Sequence, residues 1–225
     1  MSPLYSSFEK QPEEKKQTII RVAMEEFMKN GYDRASTDVI TSRAGISKGL
    51  LFHYFKNKKN LYLYVVTYAK NLLAEKVMEA LQSVSATDFF TRVKEIALAK
   101  QRVLAQYPYE AKLAVSAMLT PPAAVKKEME ELLKQHYETY EEAFMLEHIF
   151  LKQLIPTEKL RDDVSADTVL EMTMAIVDHV SQKYQKRYQR KPFDFLLHSD
   201  NIVKELDDYF RIMQYGIYKT EDKKG

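Results

Sequence analysis

Apolar residues recur every three or four positions along most of the chain, which is the spacing of one buried face of an α-helix. The first such stripe, from Ile20 to Phe27, lies in a helix predicted from about Pro12 to Lys29 and followed by Gly31. The same pattern predicts further helices at about residues 58–81, 87–106, 109–119, 122–154, 166–189 and 199–218. No segment shows the sustained two-residue alternation of a half-buried strand. The fold class is therefore predicted to be all-α, with roughly nine helices.

Two short helices are predicted between the first helix and the long one that begins near residue 58. Ser36 is suited to cap a helix that ends near Ala44, and Ser47 to cap a second one that ends near Phe55, with Gly45 in the turn between them. Two consecutive short helices joined by a tight turn with glycine are the pattern of a helix-turn-helix, whose second helix can lie in the major groove of DNA.

The second short helix lies in the stretch GISKGLLFHYFKNKKN, residues 45–60. At 100° per residue, Leu51 and Phe55 fall on one side with Tyr54 beside them, while Gly49 and His53 point away. A buried strand is disfavoured because the run lacks alternation, and a membrane-surface helix because eight residues are too few for a sustained apolar face. A DNA-binding helix and a purely structural helical hairpin both remain open on this pattern.

Charge is distributed unevenly along the chain. Residues 1–60 contain 11 Lys and Arg against 7 Asp and Glu, a net charge of +4, which leaves −2 for the other 165 residues. No acidic residue occurs from Val39 to Ala74, a window that contains six basic ones. A basic surface without acids is what a protein presents to phosphate groups, so this window favours a polyanion as the partner.

The composition argues against several other classes of protein. The chain has no cysteine, so disulfides, thiolate metal sites and a cysteine nucleophile are excluded, and a reducing cytoplasmic location is expected. No apolar run suits a signal peptide or a membrane span. The histidines have no metal-ligand spacing, and no nucleophile or phosphate-loop motif is present. Neither a catalytic site, nor a metal, nor a cofactor is predicted.

The segment from Phe27 to Leu61 resembles the DNA-binding domain of the tetracycline-repressor (TetR) family of bacterial transcriptional regulators. The positions that match the family's pattern are Gly31-Tyr32, Ser36, Ile40, Ala44-Gly45-Ile46-Ser47, Gly49, Leu51, Tyr54-Phe55, Asn57-Lys58 and Leu61. The resemblance covers about the first quarter of the chain sharply. The rest is similar only in being helical and of suitable length.

The resemblance implies that the helix at residues 47–55 enters the major groove of double-stranded DNA at a palindromic operator. The residues implicated in DNA binding are Ser36, Thr37, Lys48, Gly49, Leu50, Phe52, Tyr54 and Lys58. Three positions depart from the family's usual residues. Phe52 replaces a Tyr, Leu50 a Thr or Ser, and Thr41 a small Ala, so base preference is expected to differ while the mode of docking is kept.

The remaining chain is expected to form the larger part of the protein, with residues 1–62 as the DNA-binding domain and residues 63–225 as an effector-binding and dimerisation domain. Methionine and aromatic residues at helical spacing can fill a core or line an adaptable pocket. The resemblance implies a pocket for a small apolar or amphipathic effector. Its predicted lining residues are Tyr107, Met118, Phe144, Met145, His148 and Met172.

The last two helices, at about residues 166–189 and 199–218, carry more apolar surface than one buried face needs. They are predicted to pack both inward and against a second copy of the chain, and the resemblance implies the same homodimer. The sequence thus predicts a dimeric repressor that an effector releases from DNA. Two other classes stay open, an enzyme or small-molecule carrier with a structural helical hairpin, and a protein that serves in oligomerisation or partner binding.

Overall fold

The computed structural model describes residues 3–188 and 199–217. Ten α-helices and three short 3-10 helices, but no β-strand, occur within these residues. The α-helices are α1 (Ser6–Glu9), α2 (Glu13–Arg34), α3 (Thr37–Ala44), α4 (Lys48–Phe55), α5 (Lys58–Leu81), α6 (Phe89–Gln106), α7 (Pro108–Leu119), α8 (Lys126–Gln153), α9 (Ala166–Tyr188) and α10 (Ser199–Ile217). The 3-10 helices are Pro3–Tyr5, Ala123–Val125 and Thr157–Lys159. Since all the α-helices but α1 have eight or more residues, the prediction of an all-α fold with roughly nine helices is confirmed.

The chain divides into two compact units. The first unit contains Met1–Glu75 and Tyr107–Tyr137, and the second contains Lys76–Gln106 and Glu138–Gly225. Each unit has its own cluster of buried apolar residues. The predicted division into a DNA-binding domain and an effector domain after residue 62 is a functional division, and it stays a prediction.

Side chains cap the starts of α3 and α4, as the sequence predicts. The hydroxyls of Ser36 and Ser47 accept hydrogen bonds from backbone N–H groups three residues later, at the starts of α3 and α4. Asn57 caps α5 in the same way. Gly45 ends α3 in the left-handed conformation, with φ 65° and ψ 31°, which a glycine adopts at little cost. The helix-turn-helix is therefore set by local chemistry.

The inner side of α4 forms part of the first unit's core. Leu51 and Phe55 are fully buried, as predicted, and they belong to the same buried cluster as Ala23 and Phe27 of α2. Helix α2 extends further than predicted, because a turn of helix resumes after Gly31, where φ is 70° and ψ is 172°. Leu51 and Phe55 thus anchor α4 in the core of the first unit.

The sequence pattern predicts its first helix at about Pro12, whereas the structure has two short helices before it. A 3-10 helix and the four-residue helix α1 lie before α2. Phe8 is completely buried, with a relative exposure of 0%, and Tyr5 packs against the same core. Helices of three and four residues have no apolar periodicity, so the pattern that revealed the long helices could not reveal these.

The second unit packs α10 against α9 and α6. Its core contains residues from all three helices, among them Phe90, Val180 and Phe210. The rings of Phe90 and Phe210 lie 5.2 Å apart between centroids. The predicted limits of these helices agree with the structure to within two residues, apart from positions 189 and 218, which lie outside the described residues.

The turn between α3 and α4 gives a test of the fold. Replacing Gly45 with Ala forces a Cβ into the left-handed region, so we expect Gly45→Ala to lower the free energy of unfolding by about 1 kcal/mol. Gly49→Ala is the control, because Gly49 lies within α4 and an added Cβ would meet no atom within 4 Å. It should raise the free energy of unfolding by up to about 1 kcal/mol. Urea denaturation followed by circular dichroism measures both, and equal effects would contradict the assigned turn.

Candidate nucleic-acid interface

Helix α4 has one buried side and one exposed side. Lys48, Gly49 and His53 are exposed, and Phe52 is half-buried between them and the core. These four residues are called the presented face below. An α-helix fits the major groove of B-form DNA. The presented face contains no acidic residue that would repel phosphate. The structure thus brings Lys48, Gly49 and Phe52 together as predicted, and it adds His53, which the projection turned outward but which was not among the predicted binding residues.

Gly49 has no packing role in its own chain. A Cβ added there would meet no atom within 4 Å, and the backbone is helical rather than left-handed. Glycine lowers helix stability by about 1 kcal/mol relative to alanine, so neither the conformation nor the packing of this chain accounts for it. A surface that must come close to the α4 backbone would account for it.

The ammonium of Lys48 is paired with a carboxylate on the preceding helix. Lys48 Nζ lies 2.8 Å from Oδ1 of Asp38, and the two side chains are 53% and 68% exposed. Asp38 lies in the first turn of α3. An exposed pair of this kind contributes little to stability, but it places a negative charge beside the residue predicted to contact DNA.

Two more cations of the acid-free window are paired with acids from elsewhere in the chain. Arg43 forms an ion pair with Glu25 of α2, and Lys59 with Glu128 of α8. The hydrogen bond from Arg43 holds the pKa of Glu25 below its ordinary value, and the hydrogen bond from Lys59 does the same for the pKa of Glu128. The basic character of residues 39–74 is therefore partly neutralised, which the window in the sequence could not show.

Lys58 serves as a clamp within the first unit. Its Nζ donates hydrogen bonds to the carbonyl oxygens of Asp33, at 3.1 Å, and Ala35, at 3.3 Å. The same ammonium lies 4.8 Å from the centroid of the Tyr32 ring. These contacts tie the first residue of α5 to the last turn of α2 and to Ala35, which follows it. An ammonium has three N–H donors, so two are used by these carbonyls.

The start of α3 is held by a buried carboxylate that the sequence reasoning missed. Glu26 is only 4% exposed, and its Oε1 accepts hydrogen bonds from the backbone N–H of Ser36, at 2.9 Å, and from the Asn30 amide, at 2.8 Å. Ser36 and Thr37 are both half-buried at this helix start. The signal available in the sequence was a glutamate on the apolar stripe of α2, one position before Phe27.

Tyr54 lies on the buried side of α4, where the helical projection placed it. Its side chain is 2% exposed, and its hydroxyl oxygen accepts a hydrogen bond of 3.0 Å from Nζ of Lys15. Leu50 is half-buried and packs against the core cluster. Of the predicted DNA-binding residues, these two are therefore less accessible than Lys48 and Gly49.

Comparisons with known proteins identify the family. The family model described as "Bacterial regulatory proteins, tetR family" matches residues 19–65, which contain α3, α4 and the start of α5. The model described as "Tetracyclin repressor-like, C-terminal domain" matches residues 86–218, more than half of the chain. The chain belongs to the TetR family. The prediction of a transcriptional regulator with a helix-turn-helix is thereby confirmed.

Individual TetR-family proteins are similar over different parts of the chain. QacR of Staphylococcus aureus is 38% identical over 61 residues, 27% of this chain and 32% of QacR. The matches to the first curated relatives span only 32% to 42% of those proteins' lengths. A TetR-family regulator from Chloroflexus aurantiacus has a TM-score of 0.63 at 24% identity, covering 96% of this chain and 98% of that one. FadR of Bacillus subtilis, solved in complex with stearoyl-CoA, has a TM-score of 0.50 at 18% identity, covering 84% and 96%. Both structures establish the shared fold.

The effector residues predicted from the TetR resemblance are not gathered in one compact unit. Tyr107 and Met118 belong to the first unit, whereas His148 and Met172 belong to the second, where Met172 is 49% exposed. The side chains of Phe144 and Met145 lie outside the described residues.

Met118 lines a cleft within the first unit of this TetR-family protein. The other lining residues are Val66, Thr67, Lys70, Ala114, Met129 and Leu132. The space enclosed by the cleft is small, about 20 Å³. Its walls are apolar except for the ends of Thr67 and Lys70, and it is formed by α5, α7 and α8.

Within residues 3–188 and 199–217, no helix combines the length and apolar character needed to cross a membrane. The same residues contain no group of three or more His, Asp or Glu side chains arranged to hold a metal ion.

The pair formed by Asp38 and Lys48 leads to a prediction about DNA affinity. Asp38→Asn removes a negative charge from the candidate interface and releases the Lys48 ammonium. Because a unit charge at about 4 Å in water is worth about 1 kcal/mol, we expect affinity for DNA of unrelated sequence to rise about 5-fold. Fluorescence anisotropy with a labelled random-sequence duplex measures it.

Asp163→Asn is the matched control, because it also removes an exposed carboxylate that is paired with a cation, in this case Arg161 in the second unit. It should leave this affinity unchanged. Unchanged or weaker binding by the Asp38 variant would show that its carboxylate does not face the DNA.

Proposed function

We propose that this TetR-family protein is a dimeric repressor. One α4 helix from each chain lies in successive major grooves of a palindromic operator, and a small apolar or amphipathic effector releases the protein from the DNA. The observation that carries the proposal is the two-sided character of α4, whose inner residues are buried while Lys48, Gly49 and His53 are exposed. The proposed site of action is the cytoplasm, and no catalytic step or cofactor is assigned.

The presented face is proposed to read bases. Lys48 suits O6 and N7 of guanine, or a phosphate, and Leu50 suits the methyl group of thymine. Phe52 lacks the hydroxyl with which a tyrosine would bind phosphate, so its contact is apolar. Gly49 allows the helix backbone to approach the floor of the groove, which is consistent with the open space found around it.

The helix starts are proposed to bind the phosphate backbone. Ser36 and Thr37 lie at the start of α3, and Lys58 is the first residue of α5. The backbone N–H groups of a first helical turn and the helix dipole favour an anion at both places. Tyr54 is proposed to act from the core, by holding Lys15 at the edge of α4. These contacts carry no sequence information and fix the register of α4 in the groove.

Dimerisation is proposed through α9 and α10. On α10 three apolar residues remain uncovered in the single chain, with exposures of 37% for Tyr209, 69% for Ile212 and 82% for Tyr215. Gly216 extends the row of Tyr209 and Ile212 at helical spacing, and a Cβ there would meet no atom of this chain. Exposed apolar rows of this kind mark protein interfaces. This row lies in the second of the two predicted dimer helices, which are at about 166–189 and 199–218.

The effector is proposed to bind in the cleft lined by Met118. An apolar group would contact Met118 and Met129, whose flexible side chains adapt to irregular ligands. Lys70 also lines the cleft, and an acidic head group on an amphipathic effector is proposed to reach its ammonium. Since Lys70 belongs to α5, the bound effector would touch the helix whose first residue, Lys58, holds the helix-turn-helix.

DNA binding can be tested after an operator has been selected from a random pool of duplexes with the parent protein. We expect Lys58→Ala to weaken binding to all sequences and to reduce the slope of log K against log salt by about 0.9, the value for one phosphate contact. Lys48→Ala should instead reduce the preference for the operator over a scrambled duplex by about 1 to 3 kcal/mol. Lys58→Arg keeps the charge and serves as control. Parent-like operator binding by both alanine variants would refute the proposed docking.

The dimer has its own test. Ile212→Glu introduces a carboxylate into the exposed row of α10, where a buried contact between two copies would oppose it. We expect the dissociation constant of the dimer to rise about 30-fold or more, as measured by sedimentation over a range of concentrations. Lys204→Gln changes the net charge equally, at another exposed position of α10, and should leave the mass unchanged. A stable dimer of the Ile212 variant would show that the interface does not lie at this row of α10.

A further inference from the structure

Residues 3–11, called the arm below, precede the segment that the DNA-binding family model matches, which begins at residue 19. The arm contains the 3-10 helix Pro3–Tyr5 and helix α1. Because it lies outside the matched segment, the family match gives no information on how it packs.

The arm packs against α4 and α5 at the same time. The ring of Phe8, which is completely buried, lies 5.4 Å from the Tyr54 ring and 4.7 Å from the Phe55 ring of α4. It also lies 5.2 Å from the Tyr64 ring of α5, in an edge-on arrangement. Tyr5 stands 4.9 Å from the same Tyr64 ring. One aromatic cluster therefore joins the last turn of α4 to the second turn of α5.

Polar contacts fix the position of this cluster. Tyr64 donates a hydrogen bond of 2.7 Å from its hydroxyl to Oε1 of Glu9, and Glu9 lies 3.7 Å from the ammonium of Lys16. Tyr5 donates from its hydroxyl to the backbone carbonyl of Asn60 at 3.3 Å. The arm is thus bonded to the first two turns of α5 at two separate points.

The junction that the arm spans has an unfavourable backbone conformation. Only Lys56 and Asn57 separate α4 from α5, and Lys56 has φ 66° and ψ −43°. Within the described residues it is the single residue other than glycine with positive φ. Such a conformation persists when surrounding contacts hold it, and the arm supplies contacts on both sides of it.

We propose that the arm is a positioning element for DNA recognition, and that Glu9 and Tyr64 are its positioning residues, which set the angle between α4 and α5. Helix α4 has eight residues, so it is about 12 Å long. A tilt of roughly 10° about one end moves the other end by about 2 Å, which exceeds the range of hydrogen-bond lengths to a base. The angle therefore decides whether the presented face meets its bases. This inference rests on the proposed use of α4 in the major groove.

The test uses the full-length protein, a labelled duplex selected from a random pool by the parent, and a scrambled duplex of the same length. Tyr64→Phe removes only the hydroxyl that binds Glu9, and Glu9→Ala removes its acceptor. We expect each variant to lose about 5- to 10-fold in affinity for the selected duplex, and less than about 2-fold for the scrambled duplex. The double variant should lose no more than either single variant, because both remove the same bond.

Tyr68→Phe is the matched control. Tyr68 lies one turn further along α5, and its hydroxyl donates a hydrogen bond of 3.0 Å to Gln17 of α2 rather than to the arm. The control should keep the parent's ratio of affinities for the two duplexes. Urea denaturation of all variants provides a readout of stability that is independent of DNA.

Two results would overturn the proposal. The first is an unchanged ratio of affinities in both the Tyr64 and the Glu9 variants. The second is an equal loss for both duplexes that follows the loss of stability, since this would mean that the arm only supports the fold. The Lys48→Ala variant distinguishes a failure of the proposed docking from a failure of the proposed role of the arm. If it leaves the ratio unchanged, the docking of α4 is wrong. If it lowers the ratio while the arm variants do not, only the role of the arm is wrong.

Discussion

The burial of Phe55 is the contact on which the helix-turn-helix of this molecule depends. Its side chain is fully enclosed, and the rings of Tyr5, Phe8, Tyr54 and Tyr64 lie between 4.7 and 6.3 Å from it. A helix of eight residues is too short to be stable alone in water, so the place and the angle of α4 come from what its inner side buries. The fold does not need contacts from the outer side of α4, so its residues can be ones that suit DNA.

Electrostatics in the candidate interface depends on carboxylates as much as on lysines. Asp38, Glu25 and Glu128 hold three of the window's cations in place, so DNA would not meet a free cationic surface there. A phosphate that binds Lys48 must compete with Asp38, which lowers affinity for any sequence. Contacts with bases then contribute a larger share of the binding free energy than they would beside free lysines. A larger share from bases favours one operator over unrelated DNA.

The sequence was sufficient for features that are determined locally. Ser36, Ser47 and Asn57 mark helix starts through bonds to N–H groups three residues away, so their role can be read without knowing the fold. The pairing of Lys59 with Glu128 could not be read in this way, because 69 positions separate the two residues. The predicted effector residues are divided between the two units for a related reason. Methionines at helical spacing fill a core or line a cleft according to how the helices are arranged. Among the predicted effector residues whose side chains the structure describes, Met118 alone lies at the cleft.

Helix α5 connects the proposed DNA contacts with the proposed effector cleft inside a single compact unit. Lys58 and Tyr64 hold the helix-turn-helix and the arm, while Val66 and Lys70 of the same helix line the cleft. Twelve residues of α-helix separate Lys58 from Lys70, a distance of about 18 Å. A helix transmits a displacement over that length with little loss, because its interior hydrogen bonds resist bending. An effector that binds more tightly to a shifted α5 would therefore favour a state in which the Lys58 clamp and the α4 angle are altered, and a difference in affinity between the two states is all that release from DNA requires.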